Sequence, residues 1–240
     1  MLMAMQFLTS WDDGYALDLR IAEMLERSNL TGTFYVCPRP QHGATLLNEQ
    51  EIRALAKRHV IGAHALTHPH LTQIEPEKAN EEITGSKSWI ENITGKPCQM
   101  FCYPYGDVNE AVRDVVMKAG FTGARTTEDF RFTADDPFLQ PVTLQVSPFP
   151  WRRRFHPAWK ILDPLGPLRH TWTRTRGIGL PLSAFTSWPT LATTLFDRAQ
   201  RDGQPFFHLY GHSREIERYG MWKELHAFLR EVGETAGVTR

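Results

Sequence analysis

The chain has 240 residues, 41% of them hydrophobic, enough for one large α/β domain or two small ones with a full core. Lys+Arg and Asp+Glu number 27 each, so no charge excess points to nucleic acid as a partner. The three cysteines, Cys37, Cys98 and Cys102, are too sparse and too odd for a disulfide framework, which argues for a reducing compartment.

Gln6–Ser10 reads as a short strand, and Leu17, Ile21, Met24 and Leu25 follow at helical spacing up to about Asn29. Thr33–Val36, β-branched and aromatic, is the next strand. Ile52, Leu55 and Ala56 mark a helix ending near His59, and Val60–Ala63 is a strand with His64 at its exit. Pro76 suits the first turn of a helix whose face runs through Ala79, Ile83 and Ile90 to Gly95. Gln99–Tyr103 is a strand, with Cys98 and Cys102 at alternating apolar positions that read as core and not as half a zinc site. Val112, Val115, Val116 and Ala119 form a helical stripe stopped by Gly120, and Thr122–Thr126 is the strand after it. From about 127 to 188 the chain is rich in Pro, Trp and Arg, with few clean periodicities. Leu191, Leu195, Phe196 and Ala199 restore a helix, Phe206–Tyr210 a strand, and Leu225, Phe228, Leu229 and Val232 the last helix.

Strands alternating with helices predict a parallel sheet. The polar motifs fall at carboxyl ends of strands, where α/β folds build their sites. No apolar run approaches a membrane span. Met1–Phe7 has neither a basic n-region nor a cleavage site, so the expected location is the cytoplasm.

Two motifs carry the chemistry. Asp12 and Asp13 follow the first strand in Thr9-Ser10-Trp11-Asp12-Asp13-Gly14, and His64 and His68 lie four apart after the third. One carboxylate and two imidazoles make a facial ligand set for a divalent metal, and the second carboxylate is left beside it as a base. Each motif alone is weak, since Asp-Asp-Gly is a common turn. Their order and their place at strand ends make the combination specific.

Thr9–Gly14, His64–His68 with Pro69, and Phe101–Gly106 resemble the first three motifs of the NodB-type polysaccharide deacetylases, carbohydrate esterase family 4. Leu30–Val36 is similar to that family's second strand, and Ala119-Gly120-Phe121 to its helix-to-strand joint. The resemblance implies a distorted (β/α) barrel of about seven parallel strands. It implies Asp13, His64 and His68 as metal ligands and Asp12 as the base that deprotonates the attacking water. The backbone around Tyr105, with Pro104 and Gly106 beside it, would bind substrate and the developing oxyanion. A histidine near the last strand would protonate the leaving amine; His212, just beyond that strand, is the expected acid and His208 its rival. Zinc is the expected metal, and the ligand set also admits cobalt, nickel, iron or manganese.

Two departures stand out. The family's third motif opens with an arginine that orients the base, and here Cys102 occupies that place. The usual aspartate-tryptophan pair of the fourth motif is missing, and Arg125 stands in the adjacent strand. The expectation is that Arg125 substitutes for the lost arginine, against the plainer alternative of a surface arginine paired with Glu128 or Asp129. Residues 151–176 add seven cations, Arg152, Arg153 and Arg154 among them, against the single acid Asp163, with Trp151, Phe155, Trp159 and Trp172 interleaved. That segment reads either as an insertion with solvated arginines or as a lip for an anionic group such as a sugar phosphate, with membrane-surface contact a third option. The chain is thus expected to be a single domain over 1–240 with an unmatched insertion at about 127–188. Its expected activity is metal-dependent hydrolysis of a carbon–nitrogen bond, N-deacetylation of a small acetamido sugar or sugar conjugate. The alternatives are a deformylase, a non-sugar amidohydrolase or, in another class, a non-catalytic carbohydrate-binding domain.

Overall fold

The computed structural model describes residues 4–39, 45–151, 165–235 and 238–239. Strands β1 (Met5–Asp13), β2 (Thr33–Val36), β3 (Val60–Ala63), β4 (Met100–Cys102), β5 (Gly123–Arg125), β6 (Leu144–Gln145) and β7 (Phe206–Gly211) form one sheet in the order β5-β4-β3-β2-β1-β7-β6, with β8 (Val238–Thr239) on the start of β1. All the pairings are parallel.

The run from Pro137 to Val146 curls this sheet into a distorted barrel. Its first half bonds to β5, where Ala124 N donates to Pro137 O and Thr126 N to Gln140 O, each at 2.8 Å. Its second half bonds to β7, where Thr143 N donates to His208 O and Val146 N to Tyr210 O, again at 2.8 Å. One segment therefore joins the two ends of the strand order. It lies inside 127–188, the stretch whose sequence shows no clean periodicity. The reason is visible: Val142, Thr143, Leu144 and Val146 are all buried, so no polar face alternates with an apolar one.

Helices α1 (Asp18–Arg27), α2 (Glu49–Leu55), α3 (Pro76–Thr94), α4 (Glu110–Lys118), α5 (Gly166–Thr175), α6 (Trp188–Arg201), α7 (Ser213–Tyr219) and α8 (Trp222–Glu234) surround the strands. Their ends follow local chemistry. Asn48 and Glu51 form a capping box on α2, Asn109 caps α4, and Gly95 closes α3 in the left-handed region. Two of the helices went unforeseen. α5 buries Gly166, Thr171 and Thr175, which is no apolar stripe, and α7 starts two residues after β7 ends. Strand β1 also runs three residues further than the apolar pattern suggests, so Asp12 and Asp13 end the strand itself.

Outside the barrel, Phe7, Phe196, Phe207 and Phe228 pack β1 and β7 against α6 and α8, with ring centroids 5.5–6.2 Å apart. Between the strands the packing leaves no slack near Tyr35. A Cβ added at Gly62 would lie 2.5 Å from the Tyr35 ring. Gly62→Ala is expected to cost about 1–3 kcal/mol by overpacking and to lower Tm by a few degrees to about ten, read by thermal unfolding.

Candidate active site

Period-two alternation puts Ser10 and Asp12 on one face of β1, and Ser10 pairs in register with Tyr210 of β7. Asp12 is buried and both of its oxygens bond Nη2 of Arg125. That guanidinium is fully buried as well, its carbon 5.2 Å from the Tyr35 ring centre and 4.8 Å from that of Tyr210, with Nη1 donating to Thr126 O at 3.1 Å. Burial pushes the Asp12 carboxyl up, but Arg125, His64 and His212 together outweigh it and leave the pKa lowered. Asp12 is thus an ionised carboxylate with a fixed orientation. Arg125 does not reach the surface, and neither Glu128 nor Asp129 is its partner.

Asp13 turns the other way. Its φ of 79° ends the strand, and Gly14 continues the turn at φ 72°, pressed close to Val36. Its Oδ1 lies 3.6 Å from Nε2 of His64 and 3.4 Å from Nε2 of His68, and the two imidazole nitrogens are 3.1 Å apart. His64 Nδ1 sits 2.8 Å from the Cys102 carbonyl, which can only accept, so Nδ1 carries the proton and Nε2 presents a lone pair. Burial lowers the pKa of both rings, His68 to about 4 with further help from His64. Asp13 Oδ1 is buried with no hydrogen-bond donor. Three lone-pair atoms thus converge with too few protons between them, an arrangement that suits a divalent cation. The His64–Cys102 bond fixes the orientation of the ring that presents this lone pair.

The His64–His68 loop is strained and gripped. Ala65 and His68 both have φ near +60°, as does Tyr105. With Asp13, these are four of the six non-glycine residues with positive φ among the described residues. Glu82 of α3, itself buried, accepts from Leu66 N and Thr67 N at 2.8 Å each and from Thr67 Oγ1 at 2.7 Å. Sequence reasoning passed over Glu82. The signal was there: one acid among Ala79, Ile83, Ser86 and Ile90 on the buried face of its helix.

Pro104–Gly106 forms a short helical turn after β4. The half-exposed Tyr105 ring stacks on His70 at 4.0 Å and meets His68 edge-on at 4.5 Å. A Cβ on Gly106 would strike Thr127 Oγ1 at 2.2 Å, so only glycine fits there.

His212 occupies the N-cap position of α7 without a side-chain capping bond. Its Nε2 is 3.9 Å from Asp12 and 4.0 Å from Asp13, and its Nδ1 is 3.6 Å from Glu215 Oε2. Burial alone would lower its pKa; Glu215, Asp12 and Asp13 reverse that and raise it to about 9. Glu215 was also missed, although it follows His212 by one helical turn. Gln145 joins it, donating to Glu215 and accepting from the Tyr210 hydroxyl. His208 is elsewhere: buried, bonded to Ser10 Oγ at 2.9 Å, its pKa pushed down to about 3 by burial. Beyond Glu215 opens a cavity of about 630 Å³, lined by Gln145, Phe149, His170 and Arg174 among others. Arg152, Arg153 and Arg154 lie outside the described residues.

Removing the Glu82 carboxylate would strand the amides of Leu66 and Thr67. Glu82→Ala is expected to destabilise by about 2–4 kcal/mol and to weaken divalent-cation binding by roughly 10–100-fold. Thermal unfolding and competition with a chromogenic chelator measure the two effects.

The sequence profile of the polysaccharide deacetylase family matches residues 6–124. Chitin deacetylase 1 of Cryptococcus neoformans var. grubii is 29% identical over 120 residues, 47% of this chain and 24% of that protein. Peptidoglycan-N-acetylglucosamine deacetylase PgdA of Listeria monocytogenes is 24% identical over 127 residues, 51% of this chain and 26% of that protein. The match spans about a quarter of the length of these curated relatives. Among solved structures, a family 4 carbohydrate esterase from Streptomyces lividans in complex with acetate superposes with a TM-score of 0.55 at 16% identity, over 95% of this chain and 89% of that one. A family 4 pseudoenzyme from Bacillus anthracis gives 0.57 at 14% identity, over 98% and 63%. Both share the distorted barrel. With the three motifs in place and the profile running from the first strand into β5, residues 6–124 of this chain match the polysaccharide deacetylase family.

Proposed function

We propose that the protein is a metal-dependent hydrolase of carbon–nitrogen bonds, an N-deacetylase of an acetamido sugar or sugar conjugate. The observation that carries this reading is the division of the site into two halves. Asp13, His64 and His68 turn lone pairs to one point, while Asp12, paired with Arg125, and His212, 3.6 Å from Glu215, stand beside that point.

A divalent cation held by Asp13, His64 and His68 supplies Lewis acidity, making water nucleophilic near neutral pH and polarising the substrate carbonyl. Zinc suits the two nitrogens and one oxygen, and cobalt, nickel, iron or manganese fit the same donors. Asp12, ionised and locked by Arg125, takes the proton of the attacking water. The backbone N–H of Tyr105 would receive the carbonyl oxygen as its charge grows; that of Gly106 already donates to Tyr103 O. His212, whose protonated form Glu215 and Asp12 favour, gives its proton to the leaving nitrogen. Arg125 touches neither substrate nor metal; it positions the base. Loss of a formyl group, or hydrolysis of a non-sugar amide, would use the same groups. A non-catalytic role is disfavoured because both aspartates and both histidines are present together.

The direct test is metal analysis, followed by acetate release from a panel of N-acetylated sugars with and without chelator. Asp12→Asn is expected to keep the metal and lower kcat by roughly 10²–10⁴, whereas His64→Ala or His68→Ala loses metal and activity together. An Asp12→Asn protein that binds no metal would overturn the assignment of base and ligand.

Arg125→Ala tests the positioning role. Activity needs ionised Asp12 and falls as pH drops through its pKa. Without the guanidinium that pKa rises, so the acid limb of the pH–rate profile is expected to move to higher pH while metal content stays normal. Arg125→Lys, which keeps a charge but not the fork, is expected to fall between the two. A wild-type acid limb in Arg125→Ala would remove Arg125 from the mechanism.

A further inference from the structure

The cavity beyond Glu215 is built at the end of the barrel that carries the site. Asp129 and Phe130 follow β5, Ser147 and Phe149 follow β6, and Glu215 follows β7, so the cavity sits at the carboxyl ends of three strands. Helix α5 supplies much of the remaining wall. Every lining residue lies beyond residue 124, where the family profile ends, so the profile carries no expectation about this cavity. At about 630 Å³ it falls within the roughly 300–1,000 Å³ of small-molecule sites. Two smaller hollows, along α6 and α8, touch no residue of the site.

The lining selects among ligands. Its charge is balanced, with Arg169 and Arg174 set against Asp129 and Glu215. Each of the four also has a partner already. Asp129 holds His170 at 2.6 Å and Arg174 at 3.8 Å, Glu215 has Gln145 at 3.4 Å and His212 at 3.6 Å, and Arg169 is not free. A phosphate would have to break one of these pairs to gain a cation, stranding the other member. Half of the lining side chains are nonetheless polar, the hydroxyls of Ser147, Thr171 and Thr173 among them, and an acyl chain would leave such groups without partners. Phe130, Phe149 and Trp188 add aromatic carbon. Hydroxyls and aromatic faces with no net charge suit an uncharged saccharide, whose rings have hydroxyl edges and CH faces.

We propose that this cavity receives the sugar on the nitrogen side of the scissile bond, and that the substrate is an uncharged acetamido oligosaccharide. The direction follows from His212. Its Nε2 faces Asp12 and Asp13, and its Nδ1 faces Glu215 on the cavity wall, so the cavity lies on the side of the group that protonates the leaving nitrogen. Tyr105, which receives the carbonyl oxygen, stands on the other flank against His68. The direction rests on the proposed deacetylation; occupancy of the cavity by a saccharide does not.

The probes are N-acetylglucosamine, its trisaccharide tri-N-acetylchitotriose, and the anomeric phosphate of the monosaccharide. The trisaccharide is expected to exceed the monosaccharide about tenfold in kcat/KM, with no gain from the phosphate. Ser147→Trp and Thr173→Trp fill the cavity from separate elements, and each is expected to cut the trisaccharide-to-monosaccharide ratio about fivefold or more. General damage to the fold lowers both substrates together and leaves that ratio unmoved. Equal kcat/KM for the two neutral sugars overturns the proposal, as does a ratio unchanged in both variants. So does a preference for the phosphate that the two variants abolish. Calorimetric binding to chelator-treated protein separates the site from the reaction. Trisaccharide binding that Ser147→Trp weakens, in a protein whose metal-loaded form hydrolyses none of the probes, would uphold the cavity and sink only the reading of the reaction.

Discussion

The site hangs on one buried ion pair. Asp12 ends β1 and Arg125 ends β5, strands at positions one and five of the run β1-β2-β3-β4-β5, so their contact spans the inside of the barrel and not a shared edge. Taking a carboxylate and a guanidinium out of water costs several kcal/mol each, and the attraction repays it only when geometry and hydrogen bonding are good. Here both carboxylate oxygens meet one nitrogen, Thr126 O takes a second, and the rings of Tyr35 and Tyr210 cover the faces of the cation. The pair can hold its place only if β5 holds its own. β5 is kept there by the run from Pro137 to Val146, which ties it round to β7. Closure of the barrel and orientation of Asp12 are the same structural fact.

The half around Asp13, His64 and His68 is built on different physics. There the fold concentrates backbone strain, at Asp13, Ala65, His68 and Tyr105, in loops otherwise free to relax. Glu82 opposes relaxation by bonding two consecutive amides and a hydroxyl. Cys102 adds a carbonyl that fixes the ring of His64. The same residue thus gives its carbonyl to His64 and its thiol, which burial keeps protonated, to the space beside Asp12 and Arg125. Rigid supports outside the ligands are what make a loop-borne site reproducible.

Much of this could be read in the chain before any coordinates. Thr33–Val36 and Val60–Ala63 are strands at the expected residues, because β-branched and apolar runs bounded by polar turns have one reading. The aspartate pair and the histidine pair were visible because their spacing is local. What escaped were features with no local period. The run Val142–Leu144 leading into the Leu144–Gln145 strand is buried at three successive positions, and α5 presents threonines inward. Glu82 and Glu215 act by reaching another element or another turn, which a composition of one helix does not announce. Arg125 is the intermediate case. Its neighbours Glu128 and Asp129 offered a plain surface partner, and only the vacancy at Cys102 hinted at another.

Cys102 and Arg125 face each other directly in the register of β4 and β5. The resemblance to the wider family puts the orienting arginine at the first of these positions, and this chain carries it at the second. The two arrangements therefore differ by an exchange across a single rung of one ladder. The steps between them are unequal to the ends. With neither arginine, Asp12 would be a lone buried anion; with both, two guanidiniums would crowd one buried carboxylate. What orients Asp12 is therefore a property of the rung and not of either strand: the residues at 102 and 125 can only be exchanged together.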